Sequence, residues 1–236
     1  MAARLRWISG FASETGARAR NEDYAEISEP DARRGVVAAV ADGIGGGPGG
    51  REAAETAVRK FIEGYYAAPK EASIREAGAR ALEYAHAEIM RAARENPELR
   101  GMGTTLSALI LSGAEGLTVH VGDTRIYRLR GSSLSRLTED HNMRAQGMPN
   151  ILTRSLGTRG EAMPDCATHA ISTGDRFLLC TDGVTGVLAD GDIARILVAA
   201  RDPAEAAQGI VAAALAAGSS DNVTALVVDA TAGEAI

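Results

Sequence analysis

The sequence predicts an α+β fold built on antiparallel sheets. Along its 236 residues the elements read as strands, two helices, strands, two helices and a last strand. Helices therefore come in pairs and do not alternate singly with strands, which argues for layers and against a doubly wound parallel sheet. The segments after Gly101 are short, β-rich and punctuated by Gly or Ser, as in an antiparallel meander. With 45% hydrophobic residues and no internal repeat or low-complexity linker, the chain can bury one sizeable core, so a single domain over residues 1–236 is expected.

In order, Arg4 to Ala12 has strand character, and Ser13 to Asp23 is a polar loop closing on two acids. Val36 to Ala41 is nearly all apolar, so it should be a strand buried on both faces or central in its sheet. It ends abruptly in Asp42, and glycines follow until a helix can begin near Gly50. From Gly50 to Tyr66, Ala54, Ala57, Val58, Phe61, Ile62 and Tyr65 recur at helical spacing. A longer amphipathic helix follows from Ser73 to Arg94, stopped by Asn96-Pro97. His86 lies on it and reads as a surface or packing residue. Thr104 to Leu111, Leu117 to Val121, Thr124 to Leu129 and Leu134 to Leu137 form the expected meander, with Asp123 at a glycine-marked turn inside it. Thr138 to Asn150 has no usable periodicity and reads as loop. Arg176 to Thr181 is another buried strand that ends in an acid and a glycine, Asp182-Gly183. One helix starts near Asp190; a second is announced by Asp202 as N-cap, Pro203 at the first helical position and Glu205 behind it, and Gly218 ends it. Asp221-Asn222 precedes the last strand, Val223 to Val228.

The net charge of -6, without a basic stripe, excludes a nucleic-acid footprint. Cys166 and Cys180 make no CxxC pair, so neither a zinc module nor a disulfide framework is expected, and Cys180 reads as a small core residue. The start, MAARLRWISG, lacks an apolar signal region and no stretch approaches the ~18 residues needed to span a bilayer, which makes a cytoplasmic location the expectation.

Asp42, Asp182 and Asp221 each stand at the edge of a strongly apolar strand. One such acid is unremarkable because a carboxylate often caps a turn. If the four including Asp123 converged, carboxylates about 5 Å apart would repel by roughly 3 kcal/mol per pair at an effective dielectric near 20. Divalent cations would remove that cost, and an oxygen-only ligand set favours magnesium or manganese. Convergence itself is not readable from the sequence.

The stretches RARNED, VADGIGG, GTT, VGDTRIYRL, LTEDH, TRSLG, LLCTDGV and DNVT, in this order, resemble the metal-dependent serine/threonine protein phosphatases of the 2C type, in a bacterial branch with a shortened flap. The likeness runs from about Gly10 to Val228. It implies a four-layer α-β-β-α sandwich, two central antiparallel sheets flanked by helix pairs, and it implies convergence of the acids. By the same resemblance Asp42 bridges two metals, Gly43 (through its carbonyl) and Glu22 complete the second site, and Asp182 and Asp221 hold the first. Asp23 orients water, Asp123 helps Asp182 hold a third ion, and Arg18 grips the substrate phosphate, while Arg20 reads as a solvated charge. The implied cofactors are two manganese or magnesium ions with a third as an option. The implied reaction is hydrolysis of phosphoserine or phosphothreonine by direct in-line attack of a hydroxide held between the metals, about 3.5 to 4 Å apart, without a phosphoenzyme.

The chain departs from the family at three places. Ile44 stands where many eukaryotic members carry a histidine that protonates the leaving group; His120 and His141 are the nearest histidines by sequence, and each reads more simply as structural. Only Asn142 to Asn150 separates LTEDH from ILTRSLG, a short flap that should leave the cleft open. Pro48 stiffens the glycine run with no assignable catalytic meaning. The short flap and FIEGYYA also look like phosphatase halves fused to bacterial kinases, so a cognate serine/threonine kinase or its phosphorylated target is the expected partner. Two rival readings stand beside this one. Gly45, Gly47 and Gly50 satisfy GxGxxG between a strand and a helix, the outline of a dinucleotide site. A catalytically silent member of the same fold, used as a binding module, is the other.

Overall fold

The computed structural model describes residues 5–44, 49–143, 146–158 and 160–233. Gly45, Gly47 and Pro48, which carry two of the expectations above, lie outside the described residues.

Two five-stranded antiparallel sheets stack face to face. The first contains, in spatial order, β1 (Leu5–Glu14), β12 (Val223–Ala232), β11 (Arg176–Cys180), β6 (Arg125–Arg130) and β7 (Ser133–Arg136). The second runs β10 (Asp165–Ala170), β5 (Glu115–Val121), β4 (Leu106–Ser112), β3 (Val36–Asp42) and β2 (Asp23–Ile27). Helices α1 (Gly50–Ala67) and α2 (Ile74–Glu95) cover the second sheet, while α3 (Asp182–Thr185), α4 (Asp190–Ala199) and α5 (Pro203–Ala216) lie on the side of the first. The result is the α-β-β-α sandwich.

Strand β3 shows why its sequence is almost uniformly apolar. Successive side chains of a strand point to opposite faces. Val36, Ala38 and Val40 enter the core between the sheets with Leu109, Phe177, Leu179 and Val228, whereas Val37, Ala39 and Ala41 meet α1 and α2 through Ala54, Val58, Phe61, Leu82 and Ile89. Both faces are dry, so neither can be polar. A third apolar layer, including Leu178, Cys180, Ile193, Leu197 and Ile210, joins the first sheet to α4 and α5. The same alternation places residue 42 on the inter-sheet side, at the point where the sheets open.

The helix boundaries follow local chemistry. Ser73 and Glu76 close a capping box at the start of α2, and Asp202 accepts from the Glu205 amide at 2.8 Å with Pro203 in the first turn of α5. The carbonyls of Leu197 and Ala200 at the end of α4 accept from Arg176, which also forks onto Asp229 at 2.7 and 2.8 Å.

Three expectations need correction. Asp23 does not only close a polar loop: it begins β2, whose register sets it directly opposite Asp42. The meander is not one sheet, because the chain leaves the second sheet after β5 and enters the first at β6. Gly122, at φ +112, makes that crossing, and a Cβ there would stand 2.5 Å from the Thr105 side chain. Thr138 to Asn150 is not all loop, since β8 (Asn142–Met143) pairs with β9 (Met148–Leu152). Strand β10 had no counterpart in the sequence reading. Among the described residues no helix is long and apolar enough to cross a membrane.

Candidate active site

Where β3, β11 and β12 release the chain at one end of the sandwich, a cleft of about 430 Å³ opens, lined by Arg18, Arg20, Glu22, Asp42, Gly43, Ile44, Thr105, Asp123, Leu152, Asp182, Asp221 and Asn222. Seven of the eight residues singled out by sequence line it directly. The eighth, Asp23, lies behind the wall as the cross-strand neighbour of Asp42 and is 2% exposed.

Each acid is placed by a distinct local device. The Asp42 amide donates to Thr105 Oγ1 at 2.9 Å, and its carbonyl accepts from the Thr105 amide and the Thr104 hydroxyl at 2.9 and 2.8 Å. Gly43 follows so close to the start of α1 that a Cβ on it would sit 2.2 Å from the Gly50 carbonyl oxygen. Gly50 in turn leaves room for Glu22, whose carboxylate carbon would stand 2.8 Å from a Cβ there, over the positive end of the helix. Asp182 opens α3 directly after β11. Asp123 rides on the crossover from β5 to β6, with Asn142 donating to it at 3.5 Å.

The Arg18 loop is tied down from far away in sequence. Asn222, 5% exposed, accepts from the Glu22 amide at 2.8 Å and donates to the carbonyls of Thr15 and Arg20 at 2.8 and 2.9 Å. Arg18 Nη2 donates to Asp221 at 2.7 Å, leaving the other N–H groups of its fork for further partners. Thr181 bridges the sheets: its hydroxyl donates to Asp23 Oδ2 at 2.8 Å and accepts from the Thr224 amide at 3.1 Å. The sequence reading gave Asn222, Thr105 and Thr181 no role. GTT and DNVT are the only signals that could have pointed to the first two.

The electrostatics are those of crowded, half-dry carboxylates. Asp42 is pushed well above the usual carboxylate range by burial, and then by Asp23, Asp182, Asp123 and Asp221. Burial raises Asp23 to about 7 against the hydroxyls of Thr224 and Thr181, which favour its ionised form. Asp123 rises to about 6 through burial and then Asp182. Asp182 is raised by burial and Asp221, and Glu22 by burial against the opposing charges of Arg18 and Arg20. Such a cluster gains from positive charge.

The donor set fits hard divalent cations. Asp182 Oδ1 is buried without a hydrogen-bond partner among the described residues, an uncommon and costly state for a carboxylate oxygen that a cation would relieve. Among the described residues, no three acid, histidine or cysteine side chains form a group that would by itself enclose an ion. The carboxylates reach the cleft from the ends of both sheets, as suits cations that keep several of their waters.

Neither histidine weighed as proton donor lines the cleft. His120 Nε2 faces the Glu139 carbonyl and Nδ1 faces Ser107 Oγ, both at 2.8 Å, and burial lowers its pKa to about 4. His141 Nδ1 accepts from the Gly122 amide at 3.1 Å and Nε2 faces Asp165 at 3.0 Å. They pack ring against ring under the crossover that carries Asp123. His86 accepts from the Gly157 amide at 3.2 Å. Ile44, 38% exposed, lines the cleft in place of a proton donor. The dinucleotide outline fails on topology, since α1 leads into α2 and not into a second parallel strand.

Comparison with known proteins follows the same lines. The family model described as protein phosphatase 2C matches residues 12–218. The chain is 32% identical over 230 residues to a serine/threonine phosphatase, stp, of Listeria monocytogenes, covering 90% of this chain and 91% of that one. It is 30% identical over 228 residues to the protein phosphatase PhpP of Streptococcus pneumoniae, covering 89% and 92%. A solved structure of the catalytic domain of the serine/threonine protein phosphatase PstP in complex with two manganese ions superposes with a TM-score of 0.81 at 30% identity, over 98% of this chain and 100% of that one.

Proposed function

The chain belongs to the protein phosphatase 2C family, and from that premise we propose that it is a metal-dependent phosphatase of phosphoserine and phosphothreonine in proteins, acting by direct hydrolysis at the cleft around Asp42. The observation that carries this reading is the gathering of Asp42, Asp123, Asp182, Asp221 and Glu22 with Arg18 in one cleft, at a point where both sheets end. Both halves of the chain build that cleft, so we treat residues 1–236 as one catalytic domain.

In this reading Asp42 would serve both of two cations, with Glu22 and the Gly43 carbonyl helping to hold one and Asp182 and Asp221 the other, and Asp123 with Asp182 could hold a third. Manganese and magnesium both suit the all-oxygen set. When bound, such cations supply a water deprotonated near neutral pH and positive charge against the phosphoryl oxygens. The chain's own residues do the rest. Arg18, half-exposed at the rim, grips two phosphate oxygens through its fork and orients the ester for in-line attack. Asp23, held by Thr181 directly across the strand pair from Asp42, would act from behind the wall by orienting the Asp42 side of the cleft. Ile44 gives no proton, so the leaving alkoxide would take its proton from solvent or from an acid outside the cation ligands.

A silent binding module of the same fold would have lost these ligands. The test that separates the two readings is turnover of p-nitrophenyl phosphate and of a phosphothreonine peptide with manganese and with chelator. Release of phosphate in manganese and none in chelator is expected; no release in either would leave only the binding module. The substrate in the cell is a phosphorylated protein, and a cognate serine/threonine kinase or its target is the partner we propose.

A further inference from the structure

A cavity of about 560 Å³ lies at the opposite end of the second sheet from the cleft. It is built from the turn before β3, the connection between α1 and α2, and β10, so the length of β3, roughly 20 Å at about 3.3 Å per residue, separates it from Asp42. On a chain of net charge -6 its lining is basic: Arg33, Arg34, Lys70 and Arg75 against Asp31 and Glu115.

Two of these cations are fixed in place without being neutralised. Arg34 donates to the carbonyls of Ala72 and Ala68 at 3.2 and 3.1 Å and to that of Pro69, across the face of Tyr65. Arg75 donates to the Cys166 carbonyl at 3.3 Å and to the Thr168 hydroxyl at 3.2 Å. Neutral oxygens orient both guanidinium groups, and among the described residues each keeps N–H donors unused. Arg33 and Lys70 are exposed at the rim. Asp31 uses one carboxylate oxygen to accept from the amides of Arg33 and Arg34 at 2.8 and 2.7 Å, and with Glu115 it offsets only part of the positive charge of the lining. Two oriented forks with two exposed cations around a concave space suit a compact polyoxygen dianion better than a scatter of single carboxylates.

We propose that this cavity is a second phosphoryl-binding site, which holds one phosphorylated residue of a multiply phosphorylated protein substrate while another occupies the catalytic cleft. It rests on the phosphoprotein phosphatase reading. Bridging roughly 20 Å takes at least about seven extended residues carrying two phosphoryl groups, so a singly phosphorylated short peptide cannot use both sites and the second site acts on affinity for multiply phosphorylated proteins and not on the chemical step.

The test is Arg33→Glu combined with Lys70→Glu, with Arg33→Lys as the charge-preserving control; Arg34 is left intact because it ties the connection between α1 and α2 to the turn before β3. The expected result is a KM for phosphorylated casein raised about tenfold at unchanged kcat, with unchanged turnover of p-nitrophenyl phosphate and of a singly phosphorylated short peptide, and wild-type behaviour for the control. An unchanged KM for casein, with ester turnover intact, overturns the proposal. In a binding titration of the chelator-treated protein, phosphorylated casein should bind and the double variant should lose that binding. Equal binding of dephosphorylated casein, or binding of inorganic phosphate alone, overturns it in favour of a general acidic contact or a free-phosphate site. Failure of the wild type to hydrolyse the ester at all would instead strike the phosphatase reading.

Discussion

Replacing Asn222 by alanine removes the clamp that holds the Arg18 loop. Three hydrogen bonds go, from the Glu22 amide and to the carbonyls of Thr15 and Arg20, all between 2.8 and 2.9 Å. At about 1 kcal/mol each, less where water enters the half-exposed loop, the loss is about 2–3 kcal/mol. For a chain of this size that corresponds to a fall in melting temperature of about 4–12 °C. The functional loss should be larger than the structural one, since the loop carries both Arg18 and Glu22 and a displacement near 1 Å costs about 10²-fold in rate. Asn222→Asp should be no better than alanine despite its shape, because it turns an acceptor toward two carbonyls. Urea unfolding in chelator, with kcat/KM for p-nitrophenyl phosphate in manganese, measures both. A variant within 0.5 kcal/mol of wild type at full kcat/KM, about the scatter of ordinary surface substitutions, would refute the clamp.

Other consequences follow from the same geometry. Burial raises Asp23 from 3.8 to about 7, so the folded protein binds more protons than the unfolded chain between those values. Cation-free protein should therefore lose melting temperature as pH rises through that window, and manganese should reverse the trend by occupying the cleft; a flat profile in chelator would show the acids to be solvated. Gly43→Ala drives a Cβ to 2.2 Å from the Gly50 carbonyl oxygen, so α1 must shift. A loss of several kcal/mol with a collapse of manganese affinity is expected by thermal shift, and a wild-type midpoint would contradict it. His141→Gln should lower stability by about 1 kcal/mol yet leave the alkaline limb of the pH–rate profile in place; loss of that limb would make His141 the proton donor.

Much of the fold was legible because its signals are local. The unbroken apolar run of Val36 to Ala41 announced a strand dry on both faces, the apolar spacing after Ser73 announced a helix, and Asp202 with Pro203 announced another through capping chemistry and a fixed φ. Strands β2 and β10 were not legible: DYAEI and DCATHA are edge strands with most residues partly solvated, so neither shows a clean alternation. The crossing from β5 to β6 escaped for another reason, since Gly122 marks a turn but nothing nearby says that the next strand joins a different sheet. At the site, the acids announced themselves by ending apolar strands, while their convergence came only from the family resemblance. Asn222 and Thr181 act across 200 and 158 positions of sequence, and no local pattern reports such a bond.

The central claim is that the acids around Asp42 hold the cations that make this chain a phosphatase. Its most direct test is manganese-dependent phosphate release from a phosphothreonine peptide by wild type and Asp182→Asn side by side, with manganese binding measured by calorimetry on both. The wild type should bind at least two ions and turn over the peptide; the variant, folded to the same thermal midpoint or above, should bind fewer ions and release no phosphate above the chelator blank. Wild-type turnover by Asp182→Asn would contradict the account.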